Sequence, residues 1–312
     1  MHLFSPATRD DAIALIQSHS PTFPVAGQRE LFGDFSLNRL FDRGVRRPDL
    51  VWSVPGPDAV DDAGTRGLVA ARHLSDDEGL VDLFALPGDP AVVDTLLGAA
   101  TDWARSHGGE VEASFSAPVA PDPLVVPAVR ELVEAFARHG WRVLVTRRHY
   151  HVTPRDDMGA GIAHLDLEPA GDRARVEAFV RRMMPGSLDV RDQANVAAKG
   201  LDRAAADETD DLLGADPIEC FGIAVQDGQD AGLVIRRAMP NGNGFVCQVG
   251  VAEGFRGQGL ARRLVATATA DLVAAGATTL IADTDDANVP MIRAFAAAGW
   301  EPTESRIDLT LA

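Results

Sequence analysis

A glycine-rich turn between a predicted strand and a predicted helix is the part of this sequence best suited to bind a ligand. The turn, Arg256-Gly257-Gln258-Gly259, follows a β-branched run that ends at Val251 and precedes a helical pattern that starts at Leu260. Glycines at such a turn leave backbone N–H groups open at the positive end of the helix dipole, where phosphate groups bind. Their spacing matches neither the dinucleotide-binding nor the P-loop fingerprint. The turn therefore predicts a pyrophosphate site of another kind.

The turn and the segment after it resemble the two signatures of the GNAT superfamily of N-acyltransferases. Arg256-x-x-Gly259-x-Ala261 fits the acyl-CoA motif of that superfamily, and a helix led by Asn288 runs to Gly299-Trp300 before a last strand. The resemblance implies acetyl-CoA as co-substrate, with its pyrophosphate on the amides from Gln258 to Ala261. It assigns to this site Val249, Gly250, Val251, Arg256, Gly257, Gln258, Gly259, Leu260, Ala261, Asn288 and Phe295.

Two of these assignments have further readings. The resemblance implies that the strand from Val249 to Val251 offers backbone groups to the pantetheine arm and an N–H to the thioester carbonyl, while the valine side chains belong to the core. Asn288 resembles the superfamily's pantetheine-binding asparagine, and it also suits a helix N-cap.

The acid for the departing thiolate is missing from its usual place. The superfamily places a tyrosine where this chain has Phe295, which has no proton to give. Tyr150 is the only tyrosine in the chain, and we do not expect it to substitute locally. Water or another side chain then supplies the proton, or none is needed because a CoA thiol is a tolerable leaving group.

Candidate general bases are Asp283 and Asp285, at the end of the strand after the turn, then Glu219 on an earlier strand, and last a histidine from the first half. A carboxylate needs a raised pKa or a chain of water molecules to deprotonate an ammonium group. Asp285 could equally be a solvated turn residue. Candidate substrate-binding residues are Arg148, His149 and Tyr150, in a polar stretch that could also be an edge strand with solvated charges.

The composition limits the classes of function. The chain has 312 residues and a formal net charge of −17, which disfavours nucleic acid as a partner and suits either a cationic amine substrate or solubility alone. We expect a cytoplasmic protein, because no apolar run is long enough to span a membrane and the N-terminus lacks a signal-peptide pattern. Two cysteines and scattered histidines predict no disulfide and no metal site.

The two halves of the sequence repeat one order of elements. Gly67-Leu68-Val69 corresponds to Gly232-Leu233-Val234, and Gly140-Trp141 corresponds to Gly299-Trp300. We therefore predict an α/β (α+β) chain of two tandem GNAT folds, each a mixed, mostly antiparallel twisted sheet flanked by helices. This plan resembles the tandem GNATs of the mycothiol synthase group.

The predicted domains are 1–154, a degenerate copy, and 162–312, the copy that binds acyl-CoA. Before its helix, the first copy has Gly88-Asp89-Pro90, where Asp89 would repel a phosphate and Pro90 lacks an N–H group. We expect the first copy to wall the substrate cleft of the second.

These features predict a monomeric or homodimeric N-acyltransferase that moves an acetyl or other short acyl group from CoA to a primary amine of a small molecule, by direct attack in a ternary complex. Two alternatives stay open, a protein or peptide N-acetyltransferase and a non-catalytic acyl-CoA sensor. Phe295 in place of tyrosine favours the sensor, and an open, shallow cleft would favour peptides.

Overall fold

The chain forms two compact units that do not coincide with the two halves of the sequence. The computed structural model describes residues 2–19, 34–55 and 65–311. The first unit comprises Met1–Thr146 together with Glu304–Ala312, and the second comprises Arg147–Thr303. The predicted boundary at 154–162 therefore lies inside the second unit. Each unit contains strand residues that the predicted domains 1–154 and 162–312 assign to the other.

The first unit is a mixed sheet with helices. Its elements are α1 (Arg9–Gln17), α2 (Asp34–Asp42), β1 (Val51–Pro55), β2 (Thr65–His73), β3 (Glu78–Ala85), α3 (Pro90–Ser106), β4 (Glu110–Ala117), α4 (Pro127–Arg138), the first half of β5 (Trp141–Val152) and the last strand, β11 (Glu304–Leu311). The sheet runs β1-β2-β3-β4-β11, and β3 and β4 are parallel whereas the other described pairs are antiparallel. The predicted helix from Glu30 to Phe41 lies partly outside the described residues.

The second unit repeats this plan and begins with residues 147–152 of β5. It continues with β6 (Leu167–Pro169), α5 (Arg173–Met183), α6 (Val190–Lys199), α7 (Leu201–Ala215), β7 (Phe221–Gln226), β8 (Gln229–Ala238), β9 (Asn243–Val251), α8 (Leu260–Ala274), β10 (Thr279–Asp285) and α9 (Val289–Ala297). The strand order is β5-β10-β9-β8-β7-β6, and only β9 and β10 are parallel. The predicted fold class is confirmed.

A β-bulge recurs at the same place in both units. In the first unit, Ala71 pairs with Val81 but Ala70 pairs with Leu83, which leaves Asp82 as the extra residue. In the second unit, Arg236 pairs with Val246 but Ile235 pairs with Gln248, which leaves Cys247 as the extra residue. A bulge bends its strand and increases the local twist. The predicted repeat is therefore present in backbone detail as well as in element order.

Two tryptophans mark the same repeat in the cores. Trp141 Nε1 donates to Thr101 Oγ1 at 2.8 Å on α3, and Trp300 Nε1 donates to Thr269 Oγ1 at 2.9 Å on α8. All four side chains are buried. Buried polar groups need such partners, so each glycine–tryptophan pair fixes the turn after a helix against the neighbouring helix.

In the second unit, the bulge decides which side chains of β9 face which layer. Before the bulge, Val246 belongs to the core cluster under α8 and α9, and after it Val249 and Val251 pack against the same cluster. Gly250 faces the opposite layer, where an added Cβ would lie 2.3 Å from Met183 Sδ on α5. Any larger residue at position 250 would therefore have to displace the Met183 side chain, so packing favours glycine there.

Candidate functional site

The N-terminus of α8 is open, as the glycine-rich turn predicts. Gly257 and Gly259 have φ values of +76° and +77°, a region that favours glycine. Gly259 is the N-cap residue, and no side chain caps the first amides of the helix. These N–H groups are thus available to an anion at the positive end of the helix.

The three arginines beside this turn have different tasks. The guanidinium of Arg256 donates to Val251 O (3.2 Å), Pro185 O (2.7 Å) and Gly186 O (3.1 Å), and also to Met183 O. It therefore ties the α5–α6 connection to the end of β9. Arg263 Nε donates to Ala163 O at 3.0 Å. Arg262 is exposed, with its Nε 3.1 Å from the place where a Cβ on Gly259 would lie, so it is the arginine best placed to meet an anion there.

Strands β9 and β10 separate beside this turn. Their parallel pairing covers only Thr279 with Asn243, Leu280 with Gly244, and Ile281 with Phe245. The pairing stops directly before the bulge at Cys247, and residues 246–251 of β9 keep β8 as their only strand neighbour. The bulge bends β9 away from β10, which opens the sheet on the side that leads to the α8 turn.

The opening exposes backbone groups of Val249 and Val251. Ala252 N donates to Ala231 O at 3.0 Å. Because antiparallel hydrogen bonding alternates along a strand, Gly250 then pairs with β8, while Val249 and Val251 turn their N–H and C=O groups to the other side. Arg256 Nε reaches Val251 O from that side, in agreement with this assignment. Backbone groups are therefore available at the opening where the resemblance expects them.

Asn288 and Phe295 both belong to α9, the first as its N-cap residue and the second on its buried face. The Asn288 side chain accepts from Met291 N at 3.2 Å as the N-cap of α9. Phe295 is buried, and its ring stacks on that of Tyr150 with centroids 4.6 Å apart. Sequence reasoning did not expect Tyr150 to substitute locally for the missing tyrosine, but the structure places its ring directly beside Phe295. The reason is that β5 pairs with β10 and places Ala282 opposite Tyr150.

The face of β5 and β10 that points away from α8 and α9 carries a set of polar pairs. His149 Nδ1 lies 3.0 Å from Asp283 Oδ1, and these residues are directly opposite each other on neighbouring strands. Two residues further along, Arg147 Nε lies 2.9 Å from Asp285 Oδ1. Side chains alternate between sheet faces, so both pairs lie on one face.

Asp283 and Asp285 have different surroundings. Asp285 is buried, belongs to β10, and accepts from Val190 N at 3.0 Å through its second oxygen. The alternative reading of Asp285 as a solvated turn residue is thus wrong. Burial raises the pKa of Asp285, and Arg147 opposes that shift. Because both of its oxygens are engaged, the geometry favours Asp283 over Asp285 for proton transfer.

Two of the other predicted site residues lie elsewhere. Arg148 points to the opposite face of the sheet from His149, where its Nε lies 2.5 Å from Asp286 Oδ1. Glu219 is exposed and sits in a short 3-10 turn (Ile218–Cys220) before β7, not on a strand. Since β9 and β8 separate β7 from β10, the structure does not bring Glu219 together with Asp283.

Sequence reasoning missed a group of carboxylates around the start of α6. Burial raises the pKa of Glu208 on α7 to about 7, with further contributions from Asp192, Asp211 and Asp189. Burial also raises the pKa of Asp192, whose carboxylate accepts from Ser187 Oγ at 2.6 Å. Asp189 caps α6 and lies 3.8 Å from Arg147. Their sequence signal is weak, because acidic residues on helices are usually solvated.

The first unit lacks the corresponding groups. Its α3 is capped by the side chain of Asp89, which accepts from Ala91 N at 3.0 Å, and Pro90 occupies the first turn. Its bulge residue, Asp82, is buried between Arg46 (2.8 Å) and Arg72 (2.6 Å). In the first unit, a protein carboxylate therefore occupies the helix N-terminus that is open in the second unit, and the bulge residue is held in ion pairs.

Among residues 2–19, 34–55 and 65–311, no helix is long and apolar enough to cross a membrane. The same residues contain no group of three or more histidine, cysteine, aspartate or glutamate side chains arranged to hold a metal ion.

Comparisons with known proteins agree with this geometry. Residues 189–300 match the acetyltransferase (GNAT) family model. Among solved structures, a GCN5-related N-acetyltransferase from Sphaerobacter thermophilus is similar over 99% of this chain and 94% of its own, with 15% identity and a TM-score of 0.63. A GNAT-family acetyltransferase from Colwellia psychrerythraea covers 100% of both chains with 16% identity and a TM-score of 0.52.

A two-copy protein is also among these structures. A tandem GNAT protein from the clavulanic acid biosynthesis pathway is similar over 99% of this chain and 98% of its own, with 16% identity and a TM-score of 0.55. No curated protein matches the chain. At such identities the structural likeness shows the fold, and the family match covers the segment with the open α8 turn and the separated strands. The chain therefore has a tandem GNAT architecture and carries, in its second unit, an acyl-CoA-dependent N-acetyltransferase domain of the GNAT family.

Proposed function

We propose that the second unit binds one acetyl-CoA and transfers its acetyl group to the primary amine of a small molecule. The observation that carries this proposal is the uncapped N-terminus of α8, with its left-handed Gly257 and Gly259, at the open side of β9 within the family match. The chemistry that acetyl-CoA supplies there is an activated acyl group on a thiol that leaves readily.

The binding site follows from the available N–H groups. The amides from Gln258 to Ala261 take the pyrophosphate, and Arg262 adds a positive charge beside them. Arg256 acts indirectly, because its guanidinium already donates to carbonyl oxygens of the α5–α6 connection. The outward-facing N–H groups of Val249 and Val251 suit the pantetheine arm and the thioester carbonyl, where a donor stabilises developing negative charge.

The amine is expected on the polar face formed by His149, Asp283, Arg147 and Asp285. With His149 Nδ1 directed to Asp283, Nε2 is the ring atom left to accept a proton, and the carboxylate stabilises the imidazolium that results. We assign the general base to His149, oriented by Asp283. This revises the sequence-based expectation, which put Asp283 and Asp285 first among the bases, put a histidine of the first half last, and gave His149 a role in substrate binding.

The acidic groups near α6 favour a cationic acceptor. Glu208, Asp189 and Asp192 lie close enough together to shift the Glu208 pKa, and a bound ammonium would relieve their mutual repulsion. A small amine with one or more further positive charges fits such surroundings. A peptide N-terminus is the competing acceptor, and it is an outcome of the experiment below.

The experiment uses the full chain, because residues 147–152 pair with residues 280–285 of β10 and the predicted domain 162–312 alone would lose them. Calorimetry with acetyl-CoA should give one site per chain, and CoA-thiol release should be fastest with small polyamines. Two sites per chain would contradict the assignment to the second unit alone. Faster release with peptides than with any small amine would replace the small-molecule proposal. Binding without release for either class would favour the acyl-CoA sensor.

A further inference from the structure

The hydroxyl of Tyr150 is a buried polar group without a visible partner. The residue is 1% exposed, and no hydrogen-bond partner for its oxygen exists among residues 2–19, 34–55 and 65–311. Buried hydroxyl groups in folded proteins almost always have a partner, so an orphaned one calls for an explanation. A ligand that completes the hydrogen bond is one explanation, and the surroundings of Tyr150 support it.

The ring of Tyr150 is held by aromatic neighbours on the α8 and α9 side of the sheet, opposite Ala282 of β10. It stacks on Phe295 of α9 at 4.6 Å and 24°, and it meets Trp300 edge-on at 6.0 Å and 79°. It belongs to the same core cluster as Leu260 at the α8 turn, against which Val249 also packs. The hydroxyl of this ring is therefore confined to the α8 and α9 side of the sheet, within the cluster that extends to Leu260 at the α8 turn.

The first unit provides an internal control for this position. Across the strand pair that corresponds to β5 and β10, Ala113 of β4 lies opposite Leu309 of β11, just as Ala282 lies opposite Tyr150. Leu309 is fully buried in the cluster that contains Phe136, which precedes Trp141 by five residues just as Phe295 precedes Trp300. The unit with a capped, blocked α3 thus carries an apolar side chain here. Packing alone does not require a hydroxyl at this position.

We propose that the Tyr150 hydroxyl donates a hydrogen bond to the sulfur of bound CoA and stabilises the charge on it as the thiol leaves. This inference rests on the proposed function and adds a catalytic residue to it. In the reaction, the amine nitrogen forms the bond to the carbonyl carbon, the C–S bond breaks, and sulfur keeps the electron pair. The proton lost by nitrogen goes to His149, and Tyr150 keeps its own.

The titration of the phenol agrees with donation rather than proton transfer. Burial raises the pKa of Tyr150 to about 12; nearby Asp286 and Asp283 also raise it, and Arg148 opposes the shift. An ordinary thiol has a pKa of about 8.5, so the phenol does not give up its proton to the thiolate. The hydroxyl therefore remains a donor at neutral pH.

The chain's single tyrosine makes the test direct. Full-length protein labelled with fluorotyrosine gives one fluorine NMR signal, which reports Tyr150 alone. Addition of CoA should shift this signal, and desulfo-CoA, which lacks the sulfur atom, should bind without the same shift. Equal shifts with both ligands would overturn the inference and leave CoA binding intact. Failure of both ligands to bind, measured by calorimetry, would overturn the proposed function and this inference with it.

A pair of variants tests the same contact through the ligand. The thiol pKa of bound CoA, followed by thiolate absorbance, should rise by about one unit in Tyr150→Phe, a tenfold loss of thiol acidity. Phe keeps the stacked ring, so the fold should be retained, and CoA affinity at neutral pH should change little. In the double variant Tyr150→Phe/Phe295→Tyr, the hydroxyl moves to the adjacent ring, and the thiol pKa should return toward the wild-type value. An unchanged thiol pKa in Tyr150→Phe would contradict the proposal.

Discussion

Trp300 and Thr269 are joined by a buried hydrogen bond in which the indole Nε1 donates to the threonine Oγ1 at 2.9 Å. The same hydroxyl donates to Val265 O at 2.8 Å, so it acts both as an acceptor and as a donor. This arrangement recurs at Trp141 and Thr101 in the first unit. A hydrogen bond repeated in both units, when only one has an open site, belongs to the fold and not to the chemistry.

Thr269→Val should therefore lower stability without a direct effect on acetyl-CoA affinity. The substitution keeps the shape but leaves a buried indole N–H without a partner, which costs about 1–3 kcal/mol. Thr101→Val should cost a similar amount in the first unit. Urea unfolding checks both values. The matched control is Thr95→Val on the exposed side of α3, and a loss as large there as in Thr269→Val would contradict this interpretation.

Gly259→Asp should abolish acetyl-CoA binding. A carboxylate at the helix N-terminus takes the amides that the pyrophosphate needs, as Asp89 does in the first unit, and it repels the ligand. Gly259→Asn separates charge from shape, because asparagine tolerates positive φ; it should bind at least about tenfold more tightly than the Asp variant, a difference of about 1.4 kcal/mol. Calorimetry gives both affinities. Gly88→Asp, an exposed position in the first unit, is the control and should bind as wild type.

Phe295→Ala should mainly destabilise the second unit. The ring is buried against Tyr150 and Trp300, and removing a buried phenylalanine side chain costs about 3–5 kcal/mol. Phe295→Tyr should leave turnover unchanged or raise it. Thermal unfolding and thiol release measure the two effects, and Val289→Ala, an exposed position on the same helix, serves as control. Loss of turnover in Phe295→Ala at full stability, with CoA still bound, would show a direct role for the ring.

Glu208→Gln should change how stability depends on pH. The folded pKa of Glu208, raised to about 7, exceeds the value of about 4.3 in an unfolded chain. Between these values the folded state holds more protons than the unfolded state, so this residue makes stability fall as pH rises. The Gln variant should lose that part of the slope and gain most relative to wild type above pH 7. Denaturation at several pH values, with exposed Glu131→Gln as control, checks this, and parallel curves would refute it.

Arg256→Lys and Arg262→Ala should fail in different ways. A lysine cannot reproduce the several directed N–H groups of Arg256, so hydrogen exchange at residues 184–190 should speed up. Arg262→Ala should leave exchange unchanged and weaken CoA binding, most strongly at low salt, because it removes an exposed charge. If Arg256→Lys weakened CoA binding with no change in exchange, Arg256 would be a direct phosphate ligand.

Local patterns in the sequence predict much of this structure. The β-branched run before Gly257 and the apolar spacing after Leu260 predict β9 and α8, because burial of one face sets the period of each element. The spacing of Gly257 and Gly259 predicts the open turn, and both residues adopt positive φ in the structure. The two glycine–tryptophan pairs predict the repeat, and the structure explains them by the threonine contact in each unit.

The sequence does not show which distant strands pair or in which register. His149 and Asp283 are 134 residues apart, and nothing in either segment indicates that β5 and β10 are neighbours. The same register brings Tyr150 to Phe295. The task of Arg256 is hidden for another reason, since its partners are backbone carbonyl oxygens, which have no sequence signature. The predicted domain boundary at 154–162 rests on turn-forming residues along the chain. The two units of the structure, in contrast, are defined by pairing between strands that are distant in sequence.

The membership of β11 in the first unit has a consequence for synthesis on the ribosome. Ser114 Oγ on β4 donates to Asp308 Oδ1 and accepts from Arg306 Nε on β11, across 194 and 192 residues of sequence. The first unit thus cannot complete its sheet while it emerges, and β4 waits with an unpaired edge until the second unit has been translated. Unpaired edges promote aggregation, and closure over a long loop is slow. A nascent chain released before residue 304 should therefore depend on chaperones, because its first unit still lacks β11.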